Sequence, residues 1–272
     1  MNQLAYNATT HVADDLWSIT GFAHEMMYLV VGSQKAMLVD TGMGIGDLDA
    51  VVRKITRLPV FVVNTHGHPD HAGGNPLFKH IWLHPSDRPI LRRMCTDSYR
   101  SADINAADGM DEAQRQHAIS EMVHYRPVQT RMIRQGQVFD LGGRNFEVIE
   151  TPGHTPGSVC LLNSREKLLI TGDTVVETPV WLYLPHSMPL EIYRQSLDRL
   201  WERRNEFKIL LPGHPSVPLG KNHLRDLITC AGEILERPGI GEKTTTFAGV
   251  GTLWRSGRAS IIYQPDRVQS NE

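Results

Sequence analysis

The stretch Thr65-His66-Gly67-His68-Pro69-Asp70-His71, followed by Ala72-Gly73-Gly74, governs how the rest of this 272-residue chain is read. It sets three imidazoles and a carboxylate within six residues, directly after the apolar run Val60-Phe61-Val62-Val63. Such a run reads as a buried strand that delivers metal-capable side chains into a loop. Alternate residues of an extended segment face the same way, so His66 and His68 are placed to share one metal, while Asp70 and His71, past the bend, face another. Gly67 leaves room for the backbone, and Pro69 biases His68 toward an extended conformation. An exposed histidine-rich turn would account for one histidine better than it accounts for this spacing.

The same grammar recurs three times. Phe146–Ile149 leads to Thr151-Pro152-Gly153-His154, Leu168–Thr171 to Gly172-Asp173, and Ile209–Leu211 to Pro212-Gly213-His214. Four apolar runs thus offer a ligand at their carboxyl ends, where open α/β sheets place their sites. Each later residue taken alone is equally well a turn former or a surface histidine. The set, in this order, is not.

His66-Gly67-His68-Pro69-Asp70-His71 resembles the HxHxDH signature of the metallo-β-lactamase-fold hydrolases, and the later His, Asp and His follow in the family's order, so that the resemblance runs from about Leu16 to His214. It implies an α/β fold, an αββα four-layer sandwich of two mixed sheets flanked by helices. It further implies that His66, His68 and His154 bind one metal, that Asp70, His71 and His214 bind the other, and that Asp173 bridges both. Two zinc ions per chain are the expected cofactors, and carboxylate bridging also admits iron or manganese. A hydroxide shared by the two ions is the implied nucleophile, with Asp70 as the group that orients it and passes a proton. Asp40, in Val39-Asp40-Thr41-Gly42, stands where the family also carries an aspartate; it either orients a ligand or caps the following turn. The loop after Asp173 holds Trp181, Tyr183 and His186, which either line a pocket or pack into the core.

Strands are expected at Leu16–Ile19, Met26–Val31, Ala36–Val39 and Ile261–Tyr263 besides those above. Helices are expected over Asp47–Thr56, from near Ser86, over Asp111–Tyr125, Pro189–Arg203 and Asn222–Leu235. A single domain spanning residues 1–272 is expected, interrupted at about 92–134 by a helical insertion or cap. Its arginines either meet substrate or belong to a solvated helical face.

The totals narrow the function. Hydrophobic residues at 40% and charged residues at 21% fit a globular protein with a full core, and a formal net charge of −2 provides no global attraction to nucleic acid or anionic lipid. The three cysteines, Cys95, Cys160 and Cys230, form no CxxC, are odd in number and fit a reducing compartment. The first fifteen residues lack the basic and apolar regions of a signal peptide, and no apolar run is long enough for a bilayer, so a cytoplasmic protein is expected, with no membrane and no nucleic-acid partner. Oligomeric state is left open.

The leading reading is a dinuclear metal-dependent hydrolase that cleaves a small carboxyl derivative: a thioester, ester or lactone. Asp173 in Gly172-Asp173-Thr174 resembles glyoxalase II and its relatives, whereas β-lactamases of this fold usually carry cysteine or serine there. The chain then continues Val175-Val176-Glu177, without the glycine- and cysteine-containing segment of glyoxalase II and without the tyrosine of the lactonases, whose place is taken by Val176. Phosphodiesterase or nuclease activity is the alternative enzyme class, with β-lactam hydrolysis behind it. Against a nuclease stand the acidic balance and the lack of a basic run with interleaved aromatics. A redox relative would carry glutamate in place of His68, and an inactive scaffold would have lost a ligand.

Overall fold

Apolar runs and their punctuation become strands and crossovers in the computed structural model, which describes residues 6–107, 109–214 and 218–270. The chain divides into two compact units, one running to Ile133 with Phe139–Asn145 added, the other made of Arg134–Val138 and the residues from Phe146 onward.

The first unit is built on a seven-stranded mixed sheet whose strands lie in chain order: Ala8–Ala13, Leu16–Thr20, Met26–Val31, Ala36–Val39, Val60–Val63, Ile81–Leu83 and Thr130–Met132. The first four form an antiparallel meander, and from Ala36–Val39 onward neighbours are parallel. Helix Leu48–Ile55 makes the first parallel crossover. Asp47 caps it by accepting from the Ala50 N–H at 3.0 Å, and Leu48 and Val52 turn inward onto Ile19, Leu29, Leu38 and Val62. Because Val39 pairs with Val63 in parallel register, both strands end at the same level, and Asp40 emerges beside Asn64 and Thr65.

The second unit carries a six-stranded mixed sheet in the order Leu219–Gly220, Ile209–Pro212, Leu168–Gly172, Val159–Asn163, Asn145–Glu150, Val138–Asp140. Helices Leu190–Glu202 and Lys221–Glu236 bury Tyr193, Leu197, Leu200, Leu224, Leu227 and Ile234 in one core with Leu162, Leu169 and Leu210 from this sheet. A smaller four-stranded sheet joins it, ordered Val180–Trp181, Ala259–Tyr263, Gly249–Ser256, Glu242–Thr246. Of that sheet only Ile261–Tyr263 is legible as a strand from the sequence. The hairpin Glu242–Thr246 and Gly249–Ser256 escapes a hydrophobicity reading because its first strand is threonine-rich and largely exposed, with no apolar face to alternate. The outermost strand Ala8–Ala13 is hidden for the same reason.

Residues 92–134 hold the end of helix Arg88–Met94, the helices Asp97–Ala106 and Glu112–Ser120, and the last strand of the first sheet. The helical stretch expected to reach Tyr125 stops at Ser120, because Met122 pairs with Ile45 and the Val123 N–H donates to the Gly44 carbonyl. Arg100, fully buried, ties the segment down: its guanidinium donates to the carbonyls of Met43, Gly73 and Val123 and to the Asp97 carboxylate. All three cysteines are free and buried, and burial pushes the Cys95 and Cys230 thiols up to about 12 and the Cys160 thiol up to about 11. Among the described residues no helix is long and apolar enough to cross a membrane.

Asp97 supplies a pH test of this anchoring. Partial burial works to raise its carboxyl, but the Tyr125 N–H, His124 and Arg100 outweigh it and hold the group below the ordinary carboxylate range. A carboxyl depressed on folding stabilises above its unfolded value of about 3.9 and loses that contribution as pH falls through the folded value. The stability gap between the wild type and Asp97→Asn, measured by urea denaturation, is expected to be widest near neutral pH and to shrink steadily below about pH 4. A gap that stays constant into acid would contradict the anchoring role.

Candidate metal centre

In the first unit, strand Val60–Val63 ends in Asn64 and Thr65, and the four metal-capable residues follow through His68 into the one-turn helix Pro69–Ala72. His66 and His71 are fully buried, His68 nearly so, and the Asp70 side chain is 23% exposed. The metal-capable atoms of His66 and His68, of His66 and His71, and of Asp70 and His71 lie within 4.8 Å of each other.

Asp40 sets the tautomers of this loop. Its Oδ1 accepts from the Thr65 N–H at 2.7 Å, and its Oδ2 faces both the Thr65 hydroxyl at 2.7 Å and His71 Nδ1 at 2.9 Å. A carboxylate only accepts, so the Thr65 hydroxyl spends its single proton on Asp40 and must in turn accept from His66 Nδ1, 3.1 Å away. Both His66 and His71 therefore carry their proton on Nδ1 and present a lone pair at Nε2. His66 Nε2 lies 3.1 Å from His68 Nδ1, and His71 Nε2 lies 3.6 Å from Asp70 Oδ2. Electron-rich atoms held face to face in a buried site need a cation or a proton between them. A donor set of this kind could hold a metal ion.

The loop is supported from below by residues whose role is not legible in the sequence. Asn64 Nδ2 and the Thr41 N–H both donate to the His71 carbonyl, and Asn75 joins the Asn64 and Thr41 side chains. Asp87, fully buried, accepts from the Gly67 N–H at 2.8 Å. A Cβ at Gly67 would stand 2.7 Å from the Asp87 carbonyl, so the backbone room expected of that glycine is used. By sequence, Ser86-Asp87 reads only as the start of a helix.

The second unit gathers His154, Asp173 and His214 by the same strand-end logic. Strands Leu168–Gly172 and Ile209–Pro212 are parallel, with Gly172 opposite Pro212 and the Gly213 N–H donating to the Gly172 carbonyl at 2.9 Å. Asp173 and His214 leave side by side, and His214 Nε2 stands 3.5 Å from Asp173 Oδ2. His154 sits in the turn that joins Asn145–Glu150 to Val159–Asn163, a turn closed by the Thr151 N–H to the Ser158 carbonyl and joined to Thr174 through the Thr151 hydroxyl. His154 Nδ1 donates to the Trp181 carbonyl at 2.8 Å, which leaves Nε2 as the lone pair, 3.6 Å from Asp173 Oδ2. Gly153 permits this: a Cβ there would stand 2.4 Å from the Tyr193 ring.

Of the three loop residues singled out after Asp173, Trp181 contributes its carbonyl to His154 while its partly buried ring packs on Tyr183 and Phe247. Tyr183 is buried beneath the hairpin, its hydroxyl bonded to Thr246. His186 is half-buried in the turn that follows. In the first unit, burial pushes the Asp103 carboxyl up to about 7, the negative charge of Asp70 adding to the effect, and burial together with the charge of Asp40 raises the Tyr28 phenol. The carboxylates at the site thus act on groups around them.

Comparison with known proteins bears on the family and the fold. The family model described as the metallo-beta-lactamase superfamily matches residues 21–214. The acyl-coenzyme A thioesterase MBLAC2 of Gallus gallus is 30% identical over 234 residues, covering 82% of each chain, and the Homo sapiens protein of that name is 29% identical over 237 residues with the same coverage. Among solved structures, a metallo-beta-lactamase family protein from Thermus thermophilus is similar with a TM-score of 0.61 at 21% identity, covering 83% of this chain and 82% of that one. The sec-alkylsulfatase Pisa1 from Pseudomonas sp. gives 0.67 at 16% identity, covering 85% of this chain and 42% of its own. At such identities the structural likeness concerns the fold alone.

Replacing Asp40 by asparagine keeps the shape but removes the charge and one of the acceptors that hold Thr65 and His71. Removing an acceptor behind a metal-binding histidine costs about 10–100-fold in metal affinity. Asp40→Asn is expected to lose zinc affinity in that range in a chelator competition titration, with an unchanged far-UV spectrum. Wild-type affinity would mean that Asp40 only shapes the turn.

Proposed function

This chain belongs to the metallo-beta-lactamase superfamily, and on that premise we propose that it is a hydrolase of acyl-coenzyme A thioesters, splitting the acyl–sulfur bond with water to release a carboxylic acid and a thiol. The observation that carries the reading is the match to proteins named acyl-coenzyme A thioesterases over 82% of both chains. It is supported by the close grouping of imidazole and carboxylate donors within each unit.

In this reading His66, His68 and His154 would hold one metal ion, Asp70, His71 and His214 would hold a second, and Asp173 would be a ligand common to both. The imidazole and carboxylate donors suit zinc and also admit iron or manganese. When bound, such ions would lower the pKa of a water molecule and polarise the acyl oxygen. The remaining work falls to the chain. Asp40 and the Trp181 carbonyl keep the protons of His71 and His154 on Nδ1, so neither ring has to change tautomer to serve as a ligand. Asp70, the most exposed of the four donors in its loop, orients the attacking water and accepts its proton. The substrate is a small molecule, and residues 174–187, the loop that leaves Asp173, take part in selecting it.

Asp173→Ala is expected to abolish hydrolysis and to empty both metal positions, whereas His186→Ala keeps its full metal content. The rate of the metal-loaded wild type on acetyl-coenzyme A is expected to exceed by at least about tenfold its rate on a bis-aryl phosphodiester under the same conditions. Faster phosphodiester cleavage would overturn the thioesterase reading, and full metal and activity in Asp173→Ala would overturn the assignment of the shared ligand.

A further inference from the structure

The hairpin of the four-stranded sheet turns through Phe247 and Ala248, between Thr246 and Gly249. Phe247 and Ala248 stay out of the left-handed region, which is taken by Gly249 at φ 136°, so the backbone of this turn admits most residues at 247 and does not select an aromatic one. Turn chemistry gives no reason for a phenylalanine here, and Phe247 is 59% exposed. Val250, on the strand leaving the turn, is 43% exposed as well. Two of the chain's exposed large hydrophobic side chains thus stand on one hairpin.

Phe247 does not stand alone. Its ring lies 5.5 Å from that of Trp181, which lies 5.4 Å from that of Tyr183. The arrangement is braced from behind. Thr246 Oγ1 bonds the Tyr183 hydroxyl and accepts from the Ala248 N–H, and Tyr183 fills the space left by the missing side chain of Gly251, where a Cβ would meet it at 2.9 Å. The row of rings is tied to the metal-binding histidine by one residue. The Trp181 carbonyl accepts a hydrogen bond from His154 Nδ1, and the Ser187 hydroxyl donates to the His154 carbonyl from the other end of the same loop.

We propose that Trp181 and Phe247 form an apolar shelf that receives the acyl chain of the thioester substrate and sets its preferred length. The inference rests on the thioesterase reading for the identity of the substrate. An acyl-coenzyme A has an apolar acyl arm and a polar, anionic coenzyme arm. The acyl arm gains from leaving water against the Phe247 ring and the faces of the Trp181 ring, and neither ring brings a cation to the coenzyme phosphates. Trp181 joins the shelf to His154 through its carbonyl, so an acyl chain seated on the shelf would lie along Trp181 with its far end at Phe247. Tyr183 is a positioning residue, since it is buried and acts through the hairpin.

The test is a calorimetric titration of wild type and Phe247→Ala with two non-hydrolysable thioethers, S-octyl- and S-ethyl-coenzyme A, beside acyl-coenzyme A turnover and the oligomeric state by light scattering. Phe247 is exposed, so its truncation leaves the fold intact. Octyl affinity is expected to fall about tenfold in Phe247→Ala while ethyl affinity is unchanged, and Phe247→Leu recovers part of the loss. Equal losses for both ligands, no loss for either, or no binding of the octyl ligand by wild type would overturn the shelf. So would a change of oligomeric state in Phe247→Ala, which would make the hairpin a contact between copies. A Phe247-dependent octyl affinity in a protein that cleaves no acyl-coenzyme A would leave the shelf standing and remove the thioesterase reading.

Discussion

A buried neutral imidazole offers one fixed lone pair to a cation when its other nitrogen keeps its proton and donates it to a fixed acceptor, and the polar structure around the histidines follows from that constraint. Asp40 meets it for His71 directly and for His66 through Thr65. The Trp181 carbonyl meets it for His154. Asp40 does so from a backbone at φ 63°, in the left-handed region that aspartate tolerates better than most residues but that glycine would occupy more easily. A glycine would relieve the backbone and remove the carboxylate on which two rings depend. The backbone cost of order 1 kcal/mol is retained where the side chain is needed.

The scaffold explains why these acceptors lie within reach. Parallel register between Ala36–Val39 and Val60–Val63 brings Asp40 level with Thr65 in one unit. In the other, parallel register between Leu168–Gly172 and Ile209–Pro212 brings Asp173 level with His214. Each unit therefore repeats one device, a strand pair whose matched ends hand polar side chains to the same place. The hydrophobic cores beneath, with Leu38 and Val62 in the first and Leu169 and Leu210 in the second, keep that register, because a slip of one residue would turn the apolar side chains outward.

This device is largely legible from the sequence. Apolar runs followed by Gly or Pro and a metal-capable residue mark the strand ends, and the spacing within residues 66–71 marks the ligand loop. What stays hidden has physical reasons. Asp87 and Asn75 act through hydrogen bonds to groups distant in the sequence, Gly67 for the first and Asn64 and Thr41 for the second, and no periodicity advertises such bonds. Trp181 serves His154 through its carbonyl, which any residue possesses, so its side chain gives no hint. Helix Asp97–Ala106 lacks a clean apolar stripe because its main anchor is a buried arginine. The hairpin carrying Phe247 has a mostly exposed threonine-rich strand, and its one conspicuous side chain sits in a turn.

The proposal on which the account rests is that this chain holds two metal ions through the seven donors picked out in its sequence. Elemental analysis of protein purified without chelators and reconstituted with zinc tests it most directly. The account predicts about two metal ions per chain, since seven donors exceed what one tetrahedral ion takes. A ratio that stays at one ion per chain after reconstitution would contradict it.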